Sequence, residues 1–239
     1  MTSDGGRIVS GLAGGAQVFA ENLEATLNGV LPGGDGRPIV VGIRQMKSHY
    51  VVEPESGPIP LFIEGQTVGW LAFSFFLIMD SAESYLKVKS SLVDLKPEGS
   101  GEPVLRWEFD PDHSGPASHW HVHAENGALS VWLSRAHEHH RNTLTRWALS
   151  SIHLPTGGER WRPCLEDFLE MTVREFGIDT APRWEDAIRA GRAEWRERQL
   201  RTSVRDNPRA AAAELRDLQY EVTAPATERE PRRDRIERY

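Results

Sequence analysis

The side chains best able to do chemistry are concentrated in one short run, His119-Trp120-His121-Val122-His123. Alternation of imidazoles with large apolar residues is the period of a β-strand, which sends successive side chains to opposite faces. His119, His121 and His123 therefore share one face, and Trp120 and Val122 the other. The run before it alternates in the same way. Leu105, Trp107 and Phe109 fall on one side, and Arg106, Glu108 and Asp110 on the opposite side. The intervening loop, 111–117, can join the two runs as an antiparallel pair. Matching apolar to apolar then places Arg106, Glu108 and the histidines on one polar face.

Such a face admits three readings. The first is a divalent transition metal site. Two histidines at i and i+2 on a strand can reach one ion, so His119 and His121 are the metal candidates. Three at i, i+2 and i+4 span roughly 13 Å at the usual strand rise. A third ligand must then come from elsewhere, with Glu108, Asp110 and His153 as candidates. The second reading is catalysis by His119, His121 and His123 as acid–base groups, with Glu108 orienting an imidazole and Arg106 holding a phosphate; this could cleave RNA without metal. The third is a polar surface with a structural or partner-contact role.

Other segments carry weaker chemistry. Residues 151–163 form a Gly-rich turn with His153 at one end and Arg160 and Arg162 at the other, able to hold an anionic substrate near a helix N-terminus. The His137-Glu138-His139-His140 run lacks the i, i+4 histidine pair of a zinc-peptidase helix. Cys164 falls in a first helical turn, a place that favours a thiolate and so a Cys–His nucleophile with His153; its place next to Leu165 equally reads as plain packing.

The elements that must position these residues follow from the spacing of apolar side chains. Val18, Phe19, Leu23, Leu27 and Val30 predict a helix over 17–31. Strand-like runs follow at 38–44, 49–53, 60–63, 68–79, 85–96, 103–110 and 118–124, each bounded by turn residues. The 68–79 run, rich in Phe and Trp, reads as a strand buried on both faces. Beyond residue 127 the period becomes helical, with helices predicted over 128–150, from Pro163 to Gly177, around Trp184, Ile188 and Trp195, and from Asn207-Pro208 to Gln219. The fold class is α+β: an antiparallel β-meander in the first half packed by helices of the second half. Residues 1–14 are expected to be flexible, 15–222 to form one domain, and 223–239 to be a disordered charged tail.

The 239 residues carry a net charge of −7 and a single cysteine. That balance argues against general DNA binding and against an anionic membrane surface. With one cysteine and no apolar leader, the expected location is the cytoplasm.

The strings Leu105-Arg106-Trp107-Glu108-Phe109-Asp110 and Pro116-Ala117-Ser118-His119-Trp120-His121 resemble a pattern in small bacterial toxins of the TumE type. Those proteins show an Arg-aromatic-Asp strand, a short loop with prolines and a His-x-His strand. The resemblance covers residues 85–125 and implies the toxin half of a toxin–antitoxin pair. It leaves the helices from 128 onward unaccounted for. The segment 153–170 is similar to actinobacterial proteins of uncharacterised activity. Two function classes follow, an enzyme or toxin-like effector acting on phosphodiesters and a non-catalytic protein-binding module. The expected partners are a protein and RNA.

Overall fold

The computed structural model of the protein describes residues 12–79, 86–112, 117–123, 127–129, 131–132, 135 and 162–232. Helix α1 spans Leu12–Val30. Seven strands follow: β1 Val41–Gln45, β2 Tyr50–Pro54, β3 Ile59–Ile63, β4 Gln66–Met79, β5 Leu86–Pro97, β6 Leu105–Phe109 and β7 Ser118–Val122. Helices α2 Leu165–Phe176, α3 Trp184–Asp206 and α4 Pro208–Asp217 complete the α+β order. Among the described residues, no helix is long and apolar enough to cross a membrane.

Every strand pairing is antiparallel, in the order β1-β2-β4-β5-β6-β7. One departure from a simple meander comes from the length of β4. Its 14 residues extend roughly 46 Å at the usual rise, long enough to pair two short strands end to end. β2 pairs with β4 at Phe75–Leu77, and β3 pairs with it at Gln66–Leu71.

Parity along the strands divides the sheet into an apolar inner face and a more polar outer one. Leu71, Phe73, Phe75, Val93, Leu95, Leu105 and Trp107 point inward and are buried. Phe19 of α1 meets Phe75 edge-on at 5.3 Å, and Phe168 of α2 stacks on Trp120 at 5.5 Å. On β4 the alternation overturns the expectation of a strand buried on both faces, because Trp70 and Phe76 are exposed. Aromatic content alone does not distinguish double burial from one apolar face.

Gly69 permits a close approach within that core. A Cβ there would overlap the Trp132 ring and the Lys96 carbonyl. The Trp132 indole N–H donates to the Val68 carbonyl at 2.7 Å, locking the ring against β4.

Helix ends follow the local sequence. Gly177, in the left-handed region at φ 67°, closes α2, and its N–H bonds to the Val173 carbonyl. Asn207 caps α4 by accepting from the Ala210 N–H at 3.1 Å, with Pro208 at the first helical position. Helix α1 begins five residues before the predicted start, running through Gly14 and Gly15. The small Gly15 lies against Leu86, so packing offsets the poor helix propensity of glycine. Of the predicted 128–150 helix, residues 127–129, 131–132 and 135 are helical, and the remainder lies outside the described residues. Past α4, residues 221–232 form no helix or strand; Arg209 nevertheless pairs with Glu228 and Glu230, and the Arg232 N–H bonds to the Asp206 carbonyl.

Candidate metal centre

Strands β6 and β7 pair in the register that apolar matching requires. Trp107 faces Trp120 across the ladder, Glu108 faces His119, and Arg106 faces His121. Directly opposed residues on one face bring their Cβ atoms within about 4.5–5.5 Å. The side chains of Glu108, His119 and His121 consequently converge over the outer face.

His119 Nε2 lies 3.4 Å from Glu108 Oε2, and His121 Nε2 lies 3.7 Å from the same oxygen. The two imidazole centroids are 4.8 Å apart, with their planes at 77°. One ligand atom from each of the three residues falls within 4.8 Å of the others, so the cluster could bind a metal. His119 is the least exposed member and His121 the most.

Next to the cluster, Arg106 is held by a carboxylate that sequence reasoning missed. Asp94 of β5 stands opposite Arg106 in the ladder and is 4 % exposed. The Arg106 Nε–H donates to Asp94 Oδ1 at 2.6 Å, and Nη2–H donates to Oδ2 at 2.9 Å. The remaining Nη1 lies 3.6 Å from Glu108 Oε1. These hydrogen bonds to Asp94, with the charges of Asp94 and Glu108, raise Arg106 above the ordinary guanidinium range. Two of its donors are thus engaged by Asp94 rather than turned toward a substrate phosphate. A signal for Asp94 did exist. An aspartate flanked by Val93 and Leu95 is out of place in a strand interior unless it has a partner.

Of the other candidates, those among the described residues lie outside the cluster. His123 follows the last residue of β7; its N–H bonds to the Val104 carbonyl, and its exposed side chain is not in the cluster. His153 and Arg160, with the His137–His140 run, lie outside the described residues. Arg162 is on the inner side of the sheet, its guanidinium 3.9 Å from the Phe109 ring centroid and 4.8 Å from that of Trp195. Burial pushes its pKa down to about 10.

Cys164 is buried at the head of α2, where its thiol donates to Asp167 Oδ2. Burial, reinforced by Glu166 and Asp167, pushes the thiol far above its usual range. Desolvation therefore works against the thiolate that a helix N-terminus favours. Beside it, a cavity of about 30 Å³ is lined by Thr26, Cys164, Glu166, Trp195 and Arg198 among others.

Burial also raises the Glu166 carboxyl. The nearby Asp167 adds to this, and Cys164 and Arg198 oppose it. Thr26 of α1 faces the same carboxyl. A raised folded pKa means that the native state keeps a proton the unfolded chain releases. Below the unfolded pKa the burial carries no ionic penalty. As pH rises from there through the folded pKa, native stability falls. Glu166→Gln is expected to raise the melting temperature at pH 7–8, by roughly 2–4 °C per kcal/mol recovered. The gain should shrink toward pH 4. An equal effect at every pH in a melting series would show that ionisation plays no part.

No family model matches the chain, and neither a curated protein nor a solved structure matches it.

Proposed function

We propose that this protein binds one first-row transition metal ion, zinc being the best fit, through Glu108, His119 and His121, and uses it for metal-assisted hydrolysis. The observation that carries this reading is the spacing of the donor atoms. A neutral or charge-assisted hydrogen bond would bring an imidazole nitrogen to about 2.7–3.2 Å from the carboxylate. The separations of 3.4 and 3.7 Å are longer than that. The shorter one matches the edge of a tetrahedron around zinc, whose bonds of about 2.0–2.1 Å put ligand atoms roughly 3.3–3.4 Å apart, and all three ligand atoms lie within 4.8 Å of one another, close enough for small side-chain rotations to close on one ion. The same spacing makes a metal-free relay between Glu108 and an imidazole the weaker account.

Donor chemistry agrees. Two imidazoles and one carboxylate suit zinc and its neighbours, and are poor for calcium or magnesium, which take mostly oxygen ligands. Asp94, Arg106 and Glu108 together sum to one formal negative charge, complementary to a cation. Three protein ligands leave a fourth position for water, whose pKa falls to about 7 on zinc. Bound metal would supply that hydroxide, and Glu108, His119 and His121 would hold the metal. A groove of about 910 Å³ is lined by His49, Phe76, Ser90 and Asp110, among others, and Asp110 is two residues along the chain from Glu108.

Equilibrium dialysis tests the proposal. Wild-type protein should retain close to one equivalent of zinc, and the Glu108→Ala/His119→Ala/His121→Ala variant none. Equal retention by both would remove the site. A toxin acting on RNA would be one form of this hydrolytic reading, and it is carried by the resemblance of residues 85–125 alone. RNA cleavage that survives chelation would favour the metal-free account instead.

A further inference from the structure

We infer that Asp94 and Arg106 are positioning residues that restrict Glu108 to one-oxygen coordination, and so select a four-coordinate transition metal over a larger, oxygen-seeking cation. This rests on the metal reading of the Glu108 cluster. The two carboxylate oxygens of Glu108 have different neighbours. Oε2 faces both imidazoles, whereas Oε1 faces Arg106 Nη1 at 3.6 Å. An unrestrained glutamate can turn both oxygens to an ion, as hard cations demand. Here the second oxygen already has a cation beside it.

Arg106 can do this only if it is itself fixed. A long arginine at a surface would lose its geometry to side-chain entropy. Asp94 prevents that. It is almost fully buried and takes Nε and Nη2 in a two-point fork, the arrangement that fixes the plane of a guanidinium. The register sets Asp94 on β5 opposite Arg106 on β6, and Arg106 in turn opposite His121 on β7. Asp94 touches no ligand atom, so its influence passes through Arg106. Partners of this kind typically change metal affinity 10–100-fold.

Cobalt(II) is the probe, because its visible bands are strong in four-coordinate sites and weak in six-coordinate ones. Asp94→Asn leaves Arg106 without its anchoring charge. The Asp94→Asn/Arg106→Gln double variant removes both charges together, which avoids stranding either one in a buried place. Circular dichroism and the metal-free melting temperature establish that each variant is folded. Wild-type protein should give intense cobalt bands. The double variant should lose several-fold of that intensity, bind zinc about 10–100-fold more weakly, and bind manganese better relative to zinc. A purely structural pair would lower the melting temperature without moving the spectrum, and that result would overturn the inference. Unchanged spectrum and affinity in a folded double variant would overturn it equally. Wild-type protein that binds no cobalt or zinc would instead remove the metal reading itself.

Discussion

His119→Ala is expected to abolish tight zinc binding, lowering affinity by at least about 100-fold, because even partners outside the ligand set are worth 10–100-fold. His119 is the informative ligand to remove. It is the least exposed of the three and stands directly across the ladder from Glu108. Two ligands would remain, on neighbouring strands, too few to define a coordination polyhedron. The fold should tolerate the change, because the His119 side chain points to the face opposite the one on which Trp107 and Trp120 pack. Thermal melts with and without metal separate the two effects. A ligand at 100 times its Kd stabilises the native state by about 2.7 kcal/mol. That corresponds to a rise of roughly 5–10 °C for a domain of this size. Wild-type protein should show the rise, and His119→Ala should melt at the same temperature with or without zinc. His123→Ala is the control, since its side chain lies outside the cluster, and it should behave as wild type. A zinc-dependent rise that survives in His119→Ala would place the metal elsewhere.

The largest stability effect should come from Trp107→Ala. Trp107 is 1 % exposed and sits between Arg106 and Glu108 in β6, pointing the opposite way. Its indole N–H donates to Ser118 Oγ at 2.9 Å, tying β6 to the start of β7 from the inner side. Truncating a buried tryptophan costs about 3–5 kcal/mol, from lost transfer energy and the cavity left behind. The melting temperature should fall by roughly 6–20 °C. Trp107→Phe keeps most of the packing but leaves the Ser118 hydroxyl without its donor, so a smaller loss of about 1–3 kcal/mol is expected. Chemical denaturation measures both. A loss below about 1 kcal/mol for Trp107→Ala would mean that the strand pair does not pack on the core in this way.

Trp107 also shows why much of the site is legible in the amino-acid sequence. Period-two alternation in 105–110 and 119–123 assigns faces without knowledge of the rest of the fold. Pairing then follows, because a one-residue slip would bury Glu108 and expose Trp107. The limit of two histidines per ion comes from strand rise alone; the group of side chains that lie close together contains His119 and His121 and not His123. What escapes is everything set by the register of more distant segments. Asp94 belongs to β5, and nothing local to that strand states that it will face Arg106. The end-to-end placement of β2 and β3 on one edge of β4 is likewise invisible in spacing. Cys164 illustrates a choice that spacing leaves open, between a reactive thiolate and a packed side chain. Spacing places it correctly at the start of a helix, but the sign of its pKa shift depends on burial beneath α1 and α3, a tertiary property. The early start of α1 has the same cause, since contact between Gly15 and Leu86 overrides local propensity.

Anomalous diffraction at the zinc edge from crystals of metal-loaded protein tests the central claim most directly. The account predicts one strong peak on the outer face between β6 and β7. It should lie about 2.0–2.1 Å from the Nε2 atoms of His119 and His121 and about 2.0–2.2 Å from Oε2 of Glu108, with Arg106 still on Oε1. A peak at any other set of side chains, or zinc-soaked crystals with no peak at this cluster, would contradict it.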